Sequence, residues 1–364
     1  MYDVVCYYHE SRKAPLLRRA LLPAVRELAG AGVPAHIERH WLGGPHAVLR
    51  VAAEREVAET AAAALRDHLA EHPSTTVLDP DALLRQAEEL GRRELIPGPY
   101  SPIHPDNTVI VRPSDFSALT ALLGTERAVA ERSALLRLGM EPVATTVDYL
   151  ARNGDSSGAR VTATIAAMAA HAANYPSGIG AGYQSMLSHV EDHLAFADPD
   201  GALRAGFERA GAALGDGPAE LVAAIADGDD GPADLAPVIA AWRGWTTAAS
   251  AHADAALDTA ELVGSRNGHA GVAAGFGGET ELRWDFTRRS VYSAYHDALN
   301  RSGFEQIAME RKFGVYRFGT NVLYRLLALY DLVPVERYLA AHVFSAATEK
   351  VVGRTWQELL GVAR

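Results

Sequence analysis

Residues 35–51 read AHIERHWLGGPHAVLRV. Ala35 to Trp41 is a β-prone run, Gly43-Gly44-Pro45 is a turn, and Ala47 to Val51 is the return strand. The stretch is therefore a hairpin, and the chain on either side decides how it is covered. Upstream, Tyr2, Val4, Val5, Tyr7 and Tyr8 mark another strand. Between that strand and the hairpin, residues 15–28 place Leu17, Leu21, Val25 and Leu28 on one helical face. Pro23 should kink or break that helix, because proline lacks the amide donor, and Gly30 and Gly32 stop it. Downstream, residues 54–69 form an Ala-rich helix that ends before Pro73. The order β-α-β-β-α is half of a ferredoxin-like sandwich, with helices packed on one sheet face.

Residues 95–105 hold Pro97, Pro99, Pro102 and Pro105, so this segment is extended and non-helical, and residues 108–111 add one more strand. From Ser114 onward the pattern is helical. The spacing predicts helices over 115–123, 127–138, 160–173, 183–195, 202–214, 219–225, 233–244, 249–262, 321–330 and 335–343. The expected class is α+β: a ferredoxin-like sheet unit over 1–113, then a mostly helical unit over 114–364.

A chain of 364 residues, 48% hydrophobic and 22% charged, has ordinary globular composition. It contains no apolar run long enough to span a bilayer and no signal-peptide pattern at MYDVVCYYHE, so a cytoplasmic location is expected. The net charge of −11 argues against a general nucleic-acid binder, since phosphate binding needs a positive field. Cys6 is the only cysteine, which excludes an internal disulfide and a cysteine-rich metal cluster and makes thiol catalysis a poor reading.

The densest chemistry lies in residues 281–330, ELRWDFTRRSVYSAYHDALNRSGFEQIAMERKFGVYRFGTNVLYRLLALY. Asp285 is placed to cap a helix that ends at Gly303, on which Arg289, Tyr292 and His296 would share one stripe. Such a helix is either an ordinary amphipathic one with a solvated polar face or one that offers donors to a ligand. The glycines between Gly264 and Gly278 read as a mobile loop, or one that lets backbone approach a ligand.

Other motifs are weaker. Gly178-Ile-Gly180-Ala-Gly182 follows Pro176 and a helix rather than a strand, so it reads as a helix-joining turn and not a dinucleotide loop. His189 and His193 stand one turn apart, a spacing zinc can use, but no third ligand is indicated and a polar helix face is the better reading. Around the hairpin, His36, Glu38 and His40 share one face, beside Arg39, Trp41, His46 and Arg50. That face is a solvated sheet surface or one that meets a peptide. Arg12, Lys13, Arg18 and Arg19 form a small basic patch on the first helix, suited to an acidic peptide.

The opening pattern, Tyr7-Tyr8-His9, a Leu-Leu helix with Pro23, then Ile37-Glu-Arg-His-Trp-Leu-Gly-Gly-Pro-His-Ala-Val-Leu-Arg50, resembles the glutamate-eliminating domain of lantibiotic dehydratases. The likeness is direct over residues 2–69 and extends beyond them only in layout and size. Two departures matter. The chain holds no large glutamylating domain, so glutamyl-tRNA is not an expected substrate. The Arg-Tyr-Gly-Gly segment associated with the eliminating domains is also missing, and residues 96–105 read IPGPYSPIHP instead. A stand-alone, diverged member of this size resembles the thiopeptide pyridine synthases.

That resemblance implies an enzyme performing a formal aza-cycloaddition on a ribosomally made peptide. One dehydroalanine, joined to its neighbouring amide as an iminol, is the aza-diene, and a second is the dienophile. The ring then loses water and expels the leader peptide as an amide, leaving a pyridine. The chemistry needs no redox cofactor or metal, but it needs protons moved and distant segments held together. On this reading Ser290, Tyr292, Tyr295, His296 and Tyr316 are the candidate proton donors and acceptors. Arg288 or Arg289 would orient amide oxygens. Trp284 and Phe286, beside Asp285, would line the cavity for an azole-rich core. The leader would add as a strand to the amino-terminal sheet, near Arg12, Lys13, Arg18 and Arg19. The expected partner is thus a modified precursor peptide, leader plus azole- and dehydroalanine-bearing core, with no nucleic acid and no membrane. A homodimer is compatible with it. The rival readings are a stand-alone eliminase acting on glutamylated Ser or Thr, and a non-catalytic peptide-recognition subunit.

Overall fold

The computed structural model describes every residue except 265–267, 286–287, 290 and 363–364, and leaves out the side chains of Val263, Gly264, Gly268 and Ala270. The chain begins with β1 (Tyr2–Tyr7). Next comes α1, built of Ala14–Leu16 and Leu22–Gly30 joined by a π turn over Leu17–Leu21. The π turn is how the chain accommodates Pro23. The Leu22 amide reaches back to the Leu17 carbonyl, one residue wider than an α turn, and Pro23 sits in the first turn of the segment that follows. The helix is neither broken nor ended there.

The hairpin is β2 (Ala35–His40) and β3 (His46–Val51), followed by α2 (Arg55–Glu71), α3 (Pro80–Glu94) and β4 (Thr108–Pro113). The four strands form one antiparallel sheet in the order β2-β3-β1-β4. This completes the ferredoxin-like unit whose first five elements the sequence indicates. The register aligns Val5 with Val48 on one side and Ile110 on the other, and these side chains pack together with Tyr7. Side chains alternate, so Val4, Cys6, Ile37, Leu49 and Val51, all fully buried, face the opposite way, where α1 and α2 pack on the sheet. Each such side chain contributes roughly 1.5–3 kcal/mol by leaving water. Burial pushes the Cys6 thiol up to about 12, which makes it a packing residue and not a nucleophile.

The chain continues through α4 (Ser117–Leu123), α5 (Glu126–Leu138), α6 (Met140–Arg152), α7 (Ser157–Ala173), α8 (Ile179–Gly182) and α9 (Gln184–Ala197). Then come α10 (Ala202–Ala213), α11 (Gly217–Ala226) and α12 (Ala236–Ala256). The last is one helix where two are expected, because buried Trp242 and Trp245 anchor the turn that holds Gly244. After it run α13 (Thr259–Gly264), α14 (Gly268–Ala273), a 3-10 turn over Ala274–Phe276 and α15 (Gly278–Trp284). The described part of the expected mobile loop is therefore short helices, with the break at Gly277, whose φ of 97° suits glycine. The chain closes with α16 (Ala294–Arg301), α17 (Phe304–Ala308), α18 (Arg311–Leu327), α19 (Pro334–Val352) and α20 (Trp356–Leu359).

The chain divides into two compact units. The first is Met1–Ala144 with Gly264–Arg289 and Arg325–Asp331, and it contains the sheet; the second is Thr145–Val263 with Ser290–Tyr324 and Leu332–Arg364. The second unit is helical and built around α7, which is buried on nearly every side and packs against α11, α12 and α19. Its alanines let those helices approach closely. The Arg160 guanidinium near its start makes a paired contact with Glu336, at 3.0 and 2.7 Å, and a third bond to Asp155 at 2.8 Å. The Gly178–Gly182 run is the expected turn between helices. Gly182 is required there, since a Cβ would stand 2.2 Å from the Ala172 carbonyl oxygen. No helix is long and apolar enough to cross a membrane among the described residues.

Candidate functional site

In the second unit, chemistry gathers where α9, α16, α18 and α19 bring polar side chains together. The helix expected from Asp285 does not start there. Asp285 ends α15, and the next helix starts at Ser293, whose hydroxyl accepts the His296 amide. The stripe of Arg289, Tyr292 and His296 is therefore not formed, and of the three only His296 lies on α16. Ser293 is also the reason the His296 ring is fixed, because its Oγ lies 2.8 Å from Nδ1. The other ring nitrogen, Nε2, is 2.9 Å from Ser188 Oγ on α9. Ser293 is buried, His296 is 9% exposed, and Ser188 is half-buried.

This hydroxyl–imidazole–hydroxyl line can carry a proton. With Ser293 donating to Nδ1, Nε2 holds the proton and points it at Ser188. With Ser293 accepting from Nδ1, Nε2 is free to take a proton from Ser188. The same three groups thus act as acid or base at Ser188 according to the tautomer. Sequence inspection finds His296 but not Ser188. Its partner is 108 residues away, and a lone serine on a helix carries no local signal.

Next to this line Tyr295 is buried, with Oη 3.3 Å from Gln184 Oε1 and its ring edge-on to Trp356 at 5.5 Å. Burial, with Glu191 nearby, raises its phenol so that it stays protonated. Tyr292 is half-buried in the segment that leads into Ser293. Tyr316 lies elsewhere in the unit. Its Oη donates to the Gly182 carbonyl at 2.8 Å, and its ring stacks on His171 at 4.5 Å and 11°. Burial holds that phenol well above its ordinary value, so it stays neutral.

The outer part of the same region is a wall of rings. His189 packs against Tyr324 with centroids 4.5 Å apart, and Arg337 sits over Tyr324 at 5.2 Å and over Tyr338 at 4.9 Å. His193 lies flat on Tyr338, 3.7 Å away and 2° from parallel. The two histidines one turn apart are thus engaged with aromatic rings, and no group of three metal-ligating side chains occurs among the described residues. Two surface hollows of this unit, of 540 and 290 Å³, are lined by other residues, among them Asp229 for the first and His342 for the second.

The first unit holds the other described candidates. Arg288 is exposed and pairs with Glu281 at 2.6 Å and with Asp285. Arg289 is buried, and Trp284 stacks on His269 at 4.9 Å. Ser290 and Phe286 lie outside the described residues. On α1, Arg18 and Arg19 are exposed, as is Arg12 just before it. Lys13 is not part of that surface. It is 4% exposed, its ammonium donates to the carbonyls of Tyr8 and Glu10 at 2.6 and 2.7 Å, and burial followed by Arg39 pulls it down to about 8. Arg39 reaches Asp331 at 2.5 Å and the Ala328 carbonyl at 3.0 Å.

His36 and Glu38 are on one sheet face as expected, but that face is an internal ion network. Glu38 contacts Arg132 of α5 at 2.5 Å and Arg50 at 3.0 Å, and Arg50 reaches Asp3 at 3.4 Å. Burial opposes the Glu38 charge, yet Arg132, His36 and Arg50 hold it well below the usual carboxylate range. Beyond it His40, Trp41, His46, Tyr7, Tyr100 and His104 form a chain of ring contacts at 4.3–6.0 Å.

No family model matches the sequence, and no curated protein matches it. Among solved structures, the chain is similar to the pyridine synthase TbtD from thiomuracin biosynthesis, with 23% identity and a TM-score of 0.65 over 97% of this chain and 98% of that one. It is also similar to TsrL, with 16% identity and a TM-score of 0.60 over 100% of this chain and 99% of that one. The chain therefore shares its fold, from end to end, with a pyridine synthase of thiomuracin biosynthesis.

Proposed function

We propose that this chain is a pyridine-forming cyclase acting on a dehydroalanine-bearing thiopeptide precursor. The observation that carries the reading is the end-to-end fold likeness to a pyridine synthase, with the two chains covered to 97% and 98%. The proposed reaction joins two dehydroalanines. The iminol form of one amide gives a four-atom diene of CH2, Cα, N and C, the second dehydroalanine adds across it, and two carbon–carbon bonds form. Loss of the iminol hydroxyl as water and of the leader as a carboxamide then makes the ring aromatic. Iminol formation and the two eliminations each move a proton, and no stage consumes an oxidant. The Ser188–His296–Ser293 line supports this assignment, because it can release a proton at Ser188 in one tautomer and accept it there in the other. Tyr295 and Tyr292 are the proposed neighbouring hydroxyls, and Ser290 is a further proposed one from the sequence. Arg12, Arg18 and Arg19 are the proposed contacts for the leader peptide.

The test is to incubate the protein with two peptides in parallel and follow mass. One carries azoles and two dehydroalanines behind its leader; the other is glutamylated on serine. The account expects the first to yield a pyridine macrocycle and a free leader amide, and the second to be untouched. Loss of glutamate from the second, with the first unchanged, would transfer the chain to elimination chemistry.

A further inference from the structure

We propose that the Tyr324 hydroxyl is a hydrogen-bond donor to an amide carbonyl oxygen of the bound peptide, an inference that rests on the cyclase reading for the identity of that peptide. Tyr324 is 9% exposed, and its Oη is buried with no hydrogen-bond partner among the described residues. Three other buried phenols of this unit are matched: Tyr316 by the Gly182 carbonyl, Tyr183 by Glu349 and Tyr295 by Gln184. A buried donor left alone costs about 1–3 kcal/mol, so a fold that satisfies three neighbours and leaves one open is holding that donor for something else.

The surroundings say what that something is. Burial raises the Tyr324 phenol, so it is protonated at neutral pH and can donate. Arg337 lies 5.2 Å from the ring and makes the site electropositive, which favours an oxygen carrying partial negative charge. The ring is packed against both that guanidinium and His189. His189 is itself exposed and packs on the Tyr324 ring, so Tyr324 lies one side chain below the surface. Tyr338 and His193, stacked on each other, extend the same wall. A hydrogen bond from Tyr324 to the amide oxygen draws electron density from the nitrogen and eases movement of the amide proton from nitrogen to oxygen. The tautomerisation is internally balanced, with one proton leaving nitrogen and one arriving on oxygen.

The experiment uses the full chain labelled with 13Cζ tyrosine, wild type and Tyr324→Phe, and a core peptide in which both dehydroalanines are replaced by alanine. The Tyr324 resonance, identified by its absence in the variant, is expected to shift when the peptide is added. Turnover of the reactive peptide by Tyr324→Phe is expected to fall about 100-fold, while its melting temperature stays level or rises because an unmatched hydroxyl is gone. A resonance that does not move at saturating peptide overturns the inference, as does wild-type turnover in the variant. If the resonance moves but wild type forms no pyridine, the cyclase reading fails and the peptide-carbonyl donor stands.

Discussion

His171 and His296 have the same local pattern in opposite surroundings. Each imidazole is bracketed by two hydroxyls, Thr246 and Thr320 at 2.7 and 2.9 Å for His171, Ser293 and Ser188 at 2.8 and 2.9 Å for His296. Around His171 the pattern is closed. Thr320 Oγ spends its proton on the Tyr316 carbonyl at 2.9 Å, so it accepts from Nε2, and Thr246 must donate to Nδ1. The ring is 2% exposed and stacked on Tyr316. Nothing is left to exchange with a ligand, and burial pulls this imidazole down to about 3. Around His296 the outer hydroxyl, Ser188, is half-buried. A fixed tautomer makes a clip; an outer hydroxyl near solvent makes a relay. Hydrogen-bond partners alone do not distinguish them.

The largest expected effect that separates the two is acid destabilisation. His171 falls from the ordinary 6.5 to about 3 and, in the first unit, His46 falls to about 3 and His40 to about 4, each chiefly by burial. A depressed histidine binds protons more readily when unfolded. Its contribution is therefore complete above pH 6.5 and is lost as pH falls toward the folded value. Urea titrations should show stability dropping by about 3 kcal/mol for each such histidine between pH 6.5 and 4, and His171→Asn should remove its share of that slope. An unchanged midpoint across that window would mean that His171 is solvated.

Smaller, and aimed at the same contrast, is the pair His171→Ala and His296→Ala. The first leaves two threonine hydroxyls and a cavity inside the packed unit and should cost about 3 kcal/mol by urea denaturation. The second should cost about 1 kcal/mol, because Ser188 can turn to water. Equal costs would erase the distinction. Gly182→Ala, which forces a Cβ to 2.2 Å from backbone, should cost about 2 kcal/mol by disturbing the carbonyl that receives Tyr316. Ser293→Ala removes a helix cap and should cost about 1 kcal/mol, with Ser188→Ala near zero on the same assay and a loss of turnover in both.

Much of the first unit was legible because its signals are local. Gly43-Gly44-Pro45 between alternating runs specifies a hairpin, and the helix over 55–71 follows from its own spacing. The helices at Pro80–Glu94 and Met140–Arg152 are not among the expected ones, although Asp79-Pro80 is a good start signal and the Asp79 side chain does accept the Asp81 amide. What the sequence misleads about is set by distant partners. Arg289, Tyr292 and His296 have helical spacing, yet Ser293 takes the cap and the helix begins too late to align them. Lys13 looks like part of a basic patch, but its backbone amide meets Asp331, 318 residues away, and the side chain turns inward. Tyr324 looks like any aromatic on an amphipathic helix, and only packing reveals its unmatched hydroxyl.

The measurement closest to the central claim compares wild type with His296→Asn and His171→Asn on the azole-bearing bis-dehydroalanine peptide, scoring macrocycle and released leader amide by mass. The account predicts full conversion by wild type, a loss of at least about 100-fold in His296→Asn, and in His171→Asn a rate that tracks only the fraction folded. Wild-type conversion by His296→Asn would contradict it.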